Sequence, residues 1–212
     1  MILSSRGRPP TGRPPEPAGA DADAAVIARS RREPECFAAL YDRHFAGIHR
    51  YLTARLGRDA ADDLAAETFC VAFRKRAGFD AARGAVRPWP YGIATNLAAQ
   101  HRRDEGRRYD LLARAAAGGP GGPDDVADRV ADRVTAQDLR PRIAGAVAGL
   151  PDGDRDVLLL VAVAGLGYAE AAAALGIPGG TVGSRLNRAR RKVRLALGGI
   201  DPARIVEEDP RG

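Results

Sequence analysis

Residues 150–194 read LPDGDRDVLLLVAVAGLGYAEAAAALGIPGGTVGSRLNRARRKVR. The spacing predicts three helices in this stretch. Asp152–Ala164 carries Val157, Leu158, Leu160 and Val161 at helical steps, and Gly165 and Gly167 end it. Tyr168–Leu175 is an alanine-rich helix, Gly176-Ile177-Pro178 is a turn, and Gly180–Leu197 is a second helix. A short helix over Asp138–Leu150 precedes them and stops at Gly149-Leu150-Pro151. Two helices around a tight glycine turn make a helix-turn-helix, whose second helix reads a DNA groove. Val182, Leu186 and Leu195 are expected to anchor that helix. Thr181, Ser184, Arg185, Asn187, Arg188 and Arg191 are expected to face DNA. Arginine suits guanine and asparagine suits adenine, while serine and the remaining arginines suit phosphates.

The charge distribution points the same way. The chain of 212 residues has a net charge of +6, and residues 179–199 carry six bases and no acid. A second, smaller excess lies over 79–115, whereas 116–178 is net acidic. The bases are almost all arginine, since Lys75 and Lys192 are the only lysines. Arginine is the better fork for phosphate and guanine. Aromatic residues are only 5% and alanine is abundant, which favours light helical cores over a β-sandwich. Two cysteines, Cys36 and Cys70, build neither a disulfide framework nor a four-ligand zinc site, and both are expected to be buried thiols. Three histidines, His44, His49 and His101, form no metal motif, so no metal and no cofactor is expected. No apolar run is long enough to span a membrane, and the N-terminus lacks signal-peptide order, so the chain is expected to be cytoplasmic.

N-terminal to these helices, a low-complexity stretch, AAAGGPGGPDD at 115–125, separates a first module from the helix-turn-helix. The expected organisation is all-α: a Pro/Arg-rich disordered tail over 1–32, a helical module over 33–113, a flexible linker over 114–137, the second module over 138–199 and a C-terminal tail over 200–212. In the first module Phe37, Leu40, Tyr41, Phe45, Ile48, Leu52 and Leu56 mark one helix face, with Gly57 as its stop. The next helix carries Asp59, Asp63 and Glu67 at four-residue steps. This is an acidic stripe, with Leu64, Phe69 and Val71 available to face inward. One helix face offers a metal no convergent second set of ligands, so the stripe is a solvated face or a docking surface for a basic partner. Pro88 and Pro90 start a third helix, which bears Ile93 and Leu97 and ends among Arg102, Arg103, Arg107 and Arg108.

Four segments together resemble the two conserved domains of a bacterial RNA polymerase sigma factor of the compact extracytoplasmic-function (ECF) group. They are FAALYDRHFAGIHRYL, DDLAAETFCVAFRKR, RPWPYGIATNLAAQHRR and the 150–193 stretch, in family order around the linker. The resemblance implies that Asp59, Asp63, Leu64, Glu67 and Phe69 belong to a helix docking on the β′ clamp helices of core polymerase. It implies that Trp89 and Asn96 belong to the helix that reads and opens the −10 promoter element, where a flipped base needs stacking and hydrogen bonding, and that Arg102 and Arg103 hold the DNA backbone there. It further implies that Thr181, Ser184, Arg185, Asn187, Arg188 and Arg191 read the −35 element beside the β flap, and that an anti-sigma factor is a further partner. The chain departs from the family pattern at Ala66, Pro90 and Gly183, which touches promoter strength and sequence rather than class. A stand-alone helix-turn-helix regulator is the alternative, and it has no use for the second and third helices of the first module. An enzyme would need a catalytic constellation, and the sequence presents no nucleophile–base pair.

Overall fold

The computed structural model describes residues 20–81, 84–116 and 136–198. Among the described residues eight α-helices run in order: α1 (Ala20–Ser30), α2 (Ala38–Leu56), α3 (Arg58–Lys75), α4 (Pro88–Ala116), α5 (Ala136–Ala148), α6 (Asp152–Ala162), α7 (Tyr168–Leu175) and α8 (Gly179–Ala196). Short 3-10 turns occupy Pro34–Phe37 and Arg76–Gly78. No strand occurs among the described residues. The linker core 117–135 and the C-terminal tail lie outside them.

The expected tail over 1–32 is helical from Ala20 to Ser30, while residues 1–19 lie outside the described residues. Its apolar content explains the difference. Ile27 is 1% exposed and joins the main core, and Ala22 is buried. Arg43 and His44 of α2 hold the buried Asp23 carboxylate, His44 at 2.6 Å. Such pairing relieves the cost of burying a charge.

Helices α2, α3 and α4 pack on one another, and α8 packs on α5, α6 and α7. Leu40, Ile48, Tyr51 and Leu52 of α2 face Ala61, Leu64, Ala65 and Phe69 of α3 across the first module. Tyr51 Oη donates to Thr95 Oγ1 at 2.8 Å, and that hydroxyl donates onward to the Tyr91 carbonyl at 2.8 Å. Burial pushes the Tyr51 phenol far up, so it stays a donor. In the second module Val182, Leu186, Ala189, Val193 and Leu197 are buried at steps of three and four. Leu195, expected to be an anchor, is instead 72% exposed. It lies two residues from both Val193 and Leu197, roughly 200° around the helix from each. The cysteines are also more open than expected: Cys70 is exposed on α3, and Cys36 is half-buried beside Arg29 and Glu33.

The tether does not leave the modules apart. One core runs through both, from Ile27 to Leu186, because α4 packs on α7 and α2 on α6. Helices α4 and α7 come close together at Gly92. A Cβ there would stand 2.5 Å from the Ala174 carbonyl oxygen, so this crossing requires glycine.

Candidate nucleic-acid interface and docking face

The turn between α7 and α8 is built as the sequence suggests. Gly176 adopts φ +62°, ψ +34°, and its N–H bonds the Ala172 and Ala173 carbonyls at the end of α7. An L side chain adopts this left-handed backbone only with strain. Pro178 then stands before α8 as its cap. Below α8, Arg155 closes the α5–α6 corner by donating to the Val147, Ala148 and Leu150 carbonyls.

With Val182, Leu186, Ala189 and Val193 inward, the opposite face of α8 presents Ser184, Asn187, Arg188 and Arg191, all exposed. Ser184 Oγ donates to the Thr181 carbonyl at 3.0 Å, and Thr181 itself is half-buried. Arg185 is half-buried and lies over Gly153, where a Cβ would come within 2.7 Å of its Nη1. Arg188 is not free. Its Nε donates to Asp154 Oδ2 at 2.7 Å and its Nη2 to Asp154 Oδ1 at 2.6 Å. Asp154 is 1% exposed, and the Arg188 hydrogen bonds hold its carboxyl below the usual carboxylate range.

On α3, Asp59, Asp63 and Glu67 are exposed along one side. Asp62 extends the stripe and accepts a 2.6 Å contact from His49. Leu64 and Phe69, grouped with the stripe by the resemblance, are buried at 8% and 5% exposure. They hold the helix against α2, with Phe69 edge-on to Tyr41 at 5.0 Å, and offer a partner no surface.

Trp89 packs on Phe79 in a tilted pair, with ring centroids 4.9 Å apart and 44° between the planes. The pair lines a cleft of about 610 Å³ with Arg74 and Lys75 on one side and Ala173 of α7 on another. The wall is tied from behind: Arg31 donates to the Phe79 carbonyl at 2.6 Å, and Arg76 donates to the Ser30 carbonyl at 3.1 Å. Asn96 is exposed two turns along α4. Arg103 bonds Gln100 at 2.8 Å, whereas Arg102 reaches across to Asp152 of α6 at 3.1 Å.

That contact belongs to a set the sequence does not reveal. Arg55 of α2, its side chain fully buried, donates to Asp156 at 2.6 Å and Asp152 at 3.3 Å. Arg87 pairs with Glu170 at 3.1 Å and caps the Ala164 and Gly165 carbonyls. Burial pushes the Asp156 carboxyl above its ordinary value despite Arg55. These partners stand far apart in the chain, so no local pattern marks them. The run DGDRD at 152–156 was the available signal. Among the described residues no group of three or more metal-ligating side chains comes together, and no helix is long and apolar enough to cross a membrane.

Comparison with known proteins matches residues 40–108 to Sigma-70 region 2 and residues 140–193 to Sigma-70, region 4. The ECF RNA polymerase sigma factor SigK of Mycolicibacterium vanbaalenii is 30% identical over 181 residues, covering 84% of this chain and 90% of the relative. The ECF RNA polymerase sigma factor SigC of Mycobacterium tuberculosis is 36% identical over 131 residues, 62% and 66% of the two chains. Among solved structures, CnrH in complex with the cytosolic domain of CnrY superposes with a TM-score of 0.62 at 25% identity, over 84% of this chain and 98% of that one. The sigma factor RpoE of Bartonella quintana, solved with the anti-sigma factor NepR, shares the fold at a TM-score of 0.57 and 21% identity, over 76% and 96%. With both regions present in order and a relative matched along nine-tenths of its length, the chain belongs to the ECF sigma factors of bacterial RNA polymerase.

Proposed function

We propose that this sigma factor docks on core RNA polymerase through the exposed acids of α3 and reads two promoter elements with α4 and α8. The observation that carries the reading is one chain holding two opposite surfaces. The outward face of α8 is basic and free of acid, and α3 presents Asp59, Asp63 and Glu67 to solvent. Acid is repelled by phosphate, so the α3 face suits a basic protein partner, for which the family offers the β′ clamp helices. The β flap is the proposed neighbour of the second module. The cleft at Trp89 and Phe79, with Arg74 and Lys75 beside it, suits an unstacked base of the −10 element and assists melting. Asn96 and Arg103 extend that surface along α4, and Arg102 joins it once released from Asp152. Ser184, Asn187, Arg188 and Arg191 read the −35 element, with Thr181 and Arg185 at its edge.

The packed arrangement sets a condition on this activity. Boxes centred near −10 and −35 lie about 85 Å apart along B-DNA at about 3.4 Å per base pair. A compact body of about 160 residues has a radius of gyration near 15 Å, hence a width of about 40 Å. The closed body therefore reaches one box at a time, and simultaneous reading requires α4 and α7 to part. The segment 117–135 is long enough, at about 3.3 Å per residue, to bridge roughly 60 Å. Both comparison structures contain a bound partner, the cytosolic domain of CnrY in one and the anti-sigma factor NepR in the other. On that footing an anti-sigma protein is among the proposed partners, in a cytoplasmic setting.

The test is transcription in vitro by core polymerase on a promoter library, with and without this chain. Sequence-selective initiation dependent on the chain is expected. Asp63→Lys with Glu67→Lys should lose core association in pull-down while circular dichroism stays unchanged. Sequence-specific duplex binding by the isolated chain with no effect on polymerase would overturn the reading in favour of a stand-alone regulator.

A further inference from the structure

The proposed reading of −35 DNA leaves open what directs Arg188, and the structure answers with a residue on a different helix. Asp154 is buried in α6, with its backbone N–H bonded to the Pro151 carbonyl at 3.0 Å. Its carboxylate grips one edge of the Arg188 guanidinium at 2.6 and 2.7 Å. The two side chains are unequally exposed, 48% for Arg188 and 2% for Asp154. The carboxylate is hidden and the arginine is open.

A guanidinium carries five N–H donors in a planar fork. Asp154 occupies the Nε hydrogen and one on Nη2. The outer edge, with both Nη1 hydrogens and the second on Nη2, remains available. That edge presents two parallel donors, the arrangement that pairs with guanine O6 and N7. Ser184, Arg188 and Arg191 are spaced by four and three, so Arg188 stands on the outward stripe of α8, with its side chain 48% exposed. Arg185, laid over Gly153, packs beside the pair, and the α8 bases Arg185 and Lys192 further favour the ionised Asp154. A long side chain without such a brace must surrender its rotamer freedom on meeting DNA. Here that freedom is removed beforehand.

We propose that Asp154 is a positioning residue for promoter readout: it braces the Arg188 fork so that the outer edge pairs with a single base pair of the −35 element. Phosphate contacts fall to the other bases of α8. The inference rests on the proposed −35 role of α8 and adds the residue that sets its selectivity.

The experiment uses holoenzyme assembled from the full chain and core RNA polymerase, selecting from a duplex promoter library randomised across the −35 region. The readout is the preference for each base at each position. Asp154→Asn is expected to lose about ten- to hundredfold preference at one base pair, in line with a lost bidentate contact, and to leave the other positions unchanged. Arg188→Ala should lose preference at that same base pair, and the double variant should be no worse than Arg188→Ala alone. Arg188→Lys, which keeps the charge but not the fork, should behave like Arg188→Ala. If Asp154→Asn does not fold, Asp154→Glu supplies the test, because the displaced carboxylate must still reduce preference at that base pair alone. A uniform change at all positions would overturn the proposal. So would a rise in affinity with preference intact, which would make Asp154 a mask of the arginine charge. If wild-type holoenzyme does not form or selects no sequence, the functional reading fails instead.

Discussion

Replacing Arg55 by alanine removes the charged centre of the contact between α2 and α6. The Arg55 side chain is fully buried and Asp156 is 7% exposed, so the variant leaves a carboxylate in the interior without its 2.6 Å partner. Breaking a buried pair from one side costs about 3–5 kcal/mol. At about 1.4 kcal/mol per decade, that is roughly two to three and a half orders of magnitude in the constant for module closure. The pH dependence has a defined sign. Burial already raises the Asp156 pKa, and loss of Arg55 removes the largest opposing influence. A raised carboxyl penalises the closed state fully above its folded pKa and not at all below its unfolded one. The Arg55→Ala deficit should therefore shrink as pH falls toward 4. Replacing both partners, as in Arg55→Met with Asp156→Leu, should restore closure, because apolar groups of similar size carry no stranded charge. Asp152, 64% exposed, stays solvated and keeps Arg102 and Arg155. The assay is resonance energy transfer in a Cys36→Ser background, from a donor on the exposed Cys70 to an acceptor on a cysteine introduced at position 190, followed through a urea titration. Wild type should show closed-state transfer with a higher midpoint than Arg55→Ala. An identical midpoint in the two chains, or a deficit that grows on acidification, would refute the reasoning.

Gly92→Ala places a Cβ against the Ala174 carbonyl and should weaken closure by about 1–3 kcal/mol, read as reduced transfer in the same assay with helical content unchanged. Leu197→Ala should cost about 2–5 kcal/mol in urea unfolding, whereas Leu195→Ala should stay within about 0.5 kcal/mol, since only the former is buried. Asp154 has a lowered pKa in the fold, so its contribution is complete above its unfolded value and is lost as pH falls through the folded one. Unfolding midpoints of wild type should accordingly drop in that acid range by more than those of Asp154→Asn.

Much of the second module was legible from local pattern. The turn at Gly176, the proline before α8 and the apolar steps through Val182 and Leu186 each act within a few residues, and the structure contains them as read. Helix α7 has the predicted limits, and α4 begins at the predicted prolines. The Pro/Arg-rich residues before 20–30 obscure the apolar content of that segment, so local pattern does not mark α1. Leu195 falls outside the three- and four-residue spacing that joins Val182, Leu186, Ala189, Val193 and Leu197, so helical period rather than apolar character tells which of these residues faces the core.

Helices α2 to α8, the helix-turn-helix, the acid-free charge of α8 and the acidic stripe of α3 are legible in the sequence alone. These follow from hydrophobic period, turn chemistry and charge count, all local properties of the chain. Packing between distant helices alone sets the reach of Arg102 to α6 and the grip of Asp154 on Arg188. Only it joined the two modules through Arg55, Arg87 and Gly92. The two kinds of feature differ in range. A helix is specified by neighbours three and four residues away, whereas an ion pair or a close crossing depends on which faces meet after distant helices pack.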